Sequence, residues 1–371
     1  MNYRVTALTP LLVGNGEQLS PIDYMVYREQ VSVLDQNRIF RLLAKGPRLE
    51  GYLTQLRRAT KLDFASWGGF AQNYALHKIP FEHPTAAQAW EQARIEDLFI
   101  PTFNAGPKGP YLTGSSLKGA LRTGYVFTHA DAKMMEHVAA RVEQDRPNYR
   151  GLADEAEYRT AGSGLMSRMR PIMLSDSTPI ARDRFKIYLV RTAKLEDRGG
   201  KFGVSYKPSP VFAEMASPGS QFEGQFGGHL EKFTDAGVLK AFRWKEPVTL
   251  NALAAAANKF ARQLLETESL FANRAGLAGL GATVVHLLRE LEGCETNPNS
   301  CLLPLGWGGG FLAKTAFGNP EAGDYRKVLK AIPFYQKAIQ SGLPFPKTRR
   351  IVHLGGQPVS LPGWVRLDLT P

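Results

Sequence analysis

Hydrophobic residues fall in short runs near the start of the chain and in long periodic stretches further on, and the change of period separates strands from helices. The run "YRVTALTPLLVG" is rich in Val, Leu and Thr and breaks at Gly14, which predicts a strand and then a turn. Two short strands are expected at Tyr24–Tyr27 and Val31–Leu34, joined by polar "REQ". Helical spacing follows from about Asn37 to Leu56, and again from Ala86 to Leu98 after the start signal Pro84-Thr85. "PTFNAGPKGP" holds three Pro and two Gly in ten residues and predicts a loop. Beyond it, "YLTGSSLKGALRTGYVF" passes from strand-like residues into a helix expected to reach about Glu143.

Residues 148–164 are polar and weakly patterned, as in an exposed loop. Strands are expected in "RPIMLSDSTPI", "RFKIYLVRTAKL" and "SQFEGQFGG", with "EDRGGKFGVSYKPSP" a basic loop of the kind that orders on a ligand. From about Leu250 the period becomes helical, in "LNALAAAANKFARQLLETESLF" and "LGATVVHLLRELEG". "PLGWGGGFLAKTAFG" is a glycine-rich loop, "DYRKVLKAIPFYQKAIQ" a helical stretch carrying Pro333, and the tail ends in a short strand. Strands and helices intersperse without regular strand–helix units or a repeat, so the fold class expected is α+β rather than a doubly wound sheet.

Composition narrows the partners. The 371 residues include 46 Lys and Arg against 34 Asp and Glu, a formal charge of +12. An excess of that size suits a polyanion, nucleic acid or an anionic surface, while a basic surface with no specific partner is the plainer alternative. No apolar run approaches a membrane span, and the N-terminus does not look like a leader, so no membrane partner is expected and the setting expected is the cytosol. The only cysteines, Cys294 and Cys301, lack the spacing of a metal site and read as free thiols. No cofactor is implied.

Three glycine segments carry candidate chemistry. In the first, Gly114 permits close backbone approach, Ser115 or Ser116 suits the helix cap, and the first-turn N–H groups form a ready phosphate site. Lys118 and Arg122 share a helix face, and Gly119 keeps that flank low. The plainer reading is a capped helix with solvated cations. In the second, Gly306, Trp307, Gly308, Gly309, Gly310 and Lys314 offer backbone N–H groups, a stacking ring and a cation. That run is one residue short of a nucleotide-binding P-loop, with Ala313 where the pattern needs Gly, and a structural turn is also open. Gly14 and Gly16 form a third candidate loop or a tight turn. Further basic clusters are Arg168 with Arg170; Arg182, Arg184 and Lys186, expected on one strand face; and Lys347, Arg349 and Arg350. Asp23 reads as an acid or, more often in this setting, a turn residue, and the seven His form no metal motif.

"GSSLKGALR", "LSDS" and "GWGGGFLAKT", in that order, resemble the RAMP superfamily of CRISPR effector proteins. "LTPLLVGNGEQLSPIDY" and "PFPKTRR…GWVRL" are similar to its Csm-type subunit at the 3′ end of the guide RNA in type III-A complexes. The resemblance implies two ferredoxin-like (RRM-like) domains with helical insertions, drawn at 1–228 and 229–371. It implies binding of CRISPR RNA through the helix and the glycine-rich loop, assembly with backbone Csm-type subunits, host nucleases as trimming partners, and no catalytic residue of its own. An RNA endonuclease of the same superfamily and an NTP-binding protein are the alternatives.

Overall fold

The computed structural model describes residues 1–44, 46, 48–58, 73–130, 132–143, 161–162, 166–228, 230–316, 320–321 and 323–370. It is an α+β protein. In the opening strand, Asn2–Ala7, side chains alternate, with Tyr3, Val5 and Ala7 turned into the core. It sits at the middle of an all-antiparallel sheet ordered Ser300–Pro304, Trp364–Thr370, Asn2–Ala7, Gln221–Gly227, Met173–Leu174. The helix Gly114–His129 connects Asn2–Ala7 to Met173–Leu174 in sequence, while Gln221–Gly227 separates them in space, a split β-α-β arrangement.

A second sheet is built on the 14-residue strand Phe185–Arg198. One edge of that strand pairs with Val211–Ala216 and then Lys201–Tyr206; the other pairs with Thr348–Leu354, which pairs in turn with Gln357–Ser360. A smaller module, the sheet Tyr24–Tyr27, Gln30–Leu34 and Ala75–Pro80 with helices Gln36–Leu43 and Leu49–Arg58, packs its own apolar cluster beside the second sheet.

The helix Leu250–Ala275 joins these layers. Leu253, Ala257, Phe260, Ala261 and Leu264 recur at helical spacing and are buried. Thr249 caps its start by accepting from the Ala252 N–H at 3.1 Å, and Gly276 ends it at φ 66°. It lies close to Gly114–His129, since a Cβ on Gly124 would stand 2.9 Å from the Ala257 Cα.

Several expected elements differ. Asn37–Leu56 is two helices, Gln36–Leu43 and Leu49–Arg58, with Gly46 between them. Ala86–Leu98 shortens to Pro84–Glu91 and one turn at Ile95–Asp97. The helix expected to Glu143 ends at His129, where Ala130 turns extended, and resumes at Ala132–Val142. Most of 148–164 lies outside the described residues. In "RPIMLSDSTPI" only Met173–Leu174 pairs as strand. The basic loop expected at 196–210 is instead largely a hairpin turning at Gly199 and Gly200, whose φ values of 65° and 86° suit the reversal. Arg182–Arg184 is a single 3-10 turn, so Arg182, Arg184 and Lys186 do not share a strand face. Pro333 starts a new helix, Pro333–Gln340, and the tail contributes three strands. A boundary at residue 228 would cut both sheets, since each takes strands from either side of it.

Candidate nucleic-acid interface

The strands Asn2–Ala7 and Ser300–Pro304 both run antiparallel to Trp364–Thr370, so they end at the same edge of the first sheet. The Gly14 loop and the glycine loop (residues 305–315) therefore leave side by side. The Trp307 N–H donates to the Leu12 carbonyl at 2.7 Å, and Gly363 bridges the two loops, its N–H donating to the Pro10 carbonyl at 2.9 Å and its carbonyl accepting from the Leu305 N–H at 2.7 Å. Gly306 is at φ 76°, where a Cβ would stand 2.2 Å from the Leu12 oxygen; a Cβ on Gly14 would stand 2.7 Å from that of Thr102. These glycines allow loops to touch.

The joined loops enclose a groove of about 480 Å³ that brings together Gly14, Gly16, Ser116, Gly306, Trp307 and Lys314. All three glycine segments singled out in the sequence thus meet in one concavity. Lys314 is exposed there, and the Arg350 guanidinium lies 4.7 Å from the Trp307 ring centre. The glycine loop continues into the 3-10 turn Leu312–Lys314 from an antiparallel strand, so it lacks the strand–loop–helix geometry of a P-loop.

The start of the helix Gly114–His129 is organised differently from the sequence expectation. Its cap residue is Thr113, whose hydroxyl lies 2.7 Å from that of Ser116, rather than Ser115 or Ser116. The Gly114 N–H donates to the Asp176 carboxylate at 2.9 Å. An anion of the chain itself thus occupies the site the sequence offered to a phosphate. Gly114 is buried, and a Cβ there would stand 2.2 Å from the Leu174 carbonyl oxygen, so its freedom serves packing against "LSDS". Ser115 and Gly119 are exposed, and Lys118 and Arg122 are half-buried. Burial pushes the Lys118 ammonium below its ordinary pKa.

The other basic residues disperse. Arg168 donates to the Glu246 carbonyl at 3.2 Å and lies over Trp244, and Arg170 lies over Phe242. Arg182 Nη1 is 3.4 Å from His77 Nε2; burial first, and Arg182 second, lower His77 to about 4. Arg184 is exposed and Lys347 half-buried. Arg349, expected among the surface cations, is buried: its Nε donates to both Glu268 oxygens at 2.8 and 2.7 Å. It is a structural residue. Sequence reasoning also missed Glu268 and Asp176. Asp23 accepts from the Ser20 N–H and hydroxyl at 2.8 and 2.6 Å, the geometry of a turn. Among the described residues no group of His, Cys, Asp and Glu is placed to hold a metal, and no helix is long and apolar enough to cross a membrane.

The fold belongs to a known class. The chain matches the RAMP superfamily over residues 4–313 and belongs to it. Along its whole length it is 23% identical to the CRISPR system Cms protein Csm5 of Methanocaldococcus jannaschii, covering 89% of that protein. The fold is shared with a chain in a cryo-EM structure of a type III-A Csm–crRNA–target RNA ternary complex (TM-score 0.64, 22% identity, 99% of this chain and 100% of that one). It is shared equally with the crystal structure of T. onnurineus Csm5 (TM-score 0.62, 18% identity, 99% and 100%).

Proposed function

We propose that the protein is a non-catalytic, CRISPR-RNA-binding subunit of a type III-A complex that caps the 3′ end of the guide and supports its maturation and assembly. Its partners on this reading are CRISPR RNA, backbone Csm-type subunits, and host nucleases that trim the guide. One observation carries it: three segments distant in sequence converge on a single groove that presents Lys314, with the Arg350–Trp307 stack beside it. The charge of +12 and the similarity to Csm5 proteins support the same partner. RNA follows the groove along Gly16, Ser116 and Lys314 and passes toward Lys118 and Arg122 on the helix flank. Arg349 makes no phosphate contact in this groove, because its guanidinium is bound to Glu268.

The test is to incubate the purified protein with labelled guide RNA carrying its repeat-derived tag and run native and denaturing gels in parallel. A shifted, intact RNA whose binding weakens with salt is the expected result. A cut RNA would make the protein an enzyme, and an unshifted RNA would remove the RNA-binding function.

A further inference from the structure

The glycine loop has a second face, and it encloses a separate pocket of about 210 Å³. We infer that this pocket receives one nucleotide of the bound RNA, base inward and phosphate outward; the inference rests on the RNA-binding function above and adds a site to it.

The walls set the ligand's chemistry. The floor is made by Leu264, Leu312 and Trp364, all buried, so it suits a flat apolar body. One polar feature interrupts that floor, the Glu268–Arg349 pair, at 4% and 9% exposure. Arg349 is held by several contacts: Nε donates to Glu268, Nη1 to the carbonyls of Pro346 and Thr348 at 2.6 and 3.1 Å, and its guanidinium lies 4.6 Å from the Phe271 ring centre. Each Glu268 oxygen takes one of these bonds and keeps capacity for a second, so the floor presents a positioned acceptor to an N–H donor.

The rim is different. Lys207 and Arg350 are exposed there, and Gly310, at φ 72°, has open space where a Cβ would be. A small inorganic anion would satisfy the rim but leave the apolar floor wet and face the Glu268 carboxylate. A purely apolar ligand would bury that carboxylate's remaining capacity unused. A nucleotide meets both demands: its base packs on the floor and donates to Glu268, and its phosphate meets Lys207 and Arg350. Because Arg350 also covers Trp307, the same cation borders the groove and the pocket, which lets one strand step from the first to the second.

The experiment uses full-length protein and guide RNAs carrying a single 4-thiouridine at successive positions. After irradiation, adducts are mapped on the wild-type chain and on Thr192→Trp, which narrows the pocket from its wall. One RNA position should crosslink to residues 308–312 or 361–364. In Thr192→Trp that adduct should fall by about tenfold and overall affinity by about fivefold, the loss of one stacked base. RNA that binds but crosslinks only around Gly16 and Lys314, or an adduct indifferent to Thr192→Trp in a chain that folds, would overturn the pocket alone. The wild-type map decides the matter even if the variant misfolds. RNA that fails to shift at all would overturn both the pocket and the RNA-binding function.

Discussion

The start of the helix Gly114–His129 and the glycine loop carry similar residues, glycines with a nearby Lys, Ser or Thr, yet the fold uses them in different ways. At the helix, Gly114 is a joint: its missing Cβ lets the Leu174 and Ser175 carbonyls approach, and Asp176 takes the first N–H. At the loop, Gly306 is likewise a joint against Leu12, but Gly310 faces open space and Lys314 is exposed. A helix N-terminus is an anion site only while it is vacant. Here a carboxylate of the chain already takes the first N–H, and the concave, cationic surface lies one step away, where the loops meet.

The largest effect that would sharpen this contrast lies under the loop. Arg349→Ala leaves Glu268 buried and unpaired and should lower stability by about 3–5 kcal/mol in urea denaturation, whereas a solvated cation would give almost no change. Gly114→Ala and Gly306→Ala should each destabilise by about 1–3 kcal/mol, because both place a Cβ against a carbonyl oxygen. An unchanged denaturation midpoint would show that the joints yield. Asp176→Ala removes the partner of the Gly114 N–H and should lower stability by about 1 kcal/mol, with RNA affinity nearly unchanged. A gain in RNA affinity would mean that a phosphate takes the carboxylate's place. Gly119→Ala is the smallest effect and has the opposite sign. A Cβ there meets nothing, so thermal melting should show stabilisation by about 0.5–1 kcal/mol.

Regular elements were legible wherever a single period ran unbroken, as in Asn2–Ala7, Leu250–Ala275 and residues 185–195 of the strand Phe185–Arg198. Breaks inside a period were less so. Pro333 was visible, but no Gly or Pro marks the end of the helix at His129, and the helix that follows, Ala132–Val142, packs on Gly323–Ala331, which is remote in sequence. The glycine segments were legible as special, and the structure brings all three to one groove. What each glycine meets was not, because Leu12, Thr102 and Leu174 are its neighbours only in space. Arg349 shows the same limit: its partner lies 81 residues earlier. One signal was available. Arg349 and Ile351 share a strand face by alternation, and both are buried.

The path of the RNA is tested most directly by the salt dependence of guide binding in Lys314→Ala with Arg350→Ala, set against Asp176→Ala. If RNA follows the glycine loop, the plot of log K against log salt should become shallower by about 0.7 for each single-strand phosphate that the double variant no longer neutralises, and should keep its wild-type slope in Asp176→Ala. A wild-type slope in the double variant would contradict the loop as the RNA path.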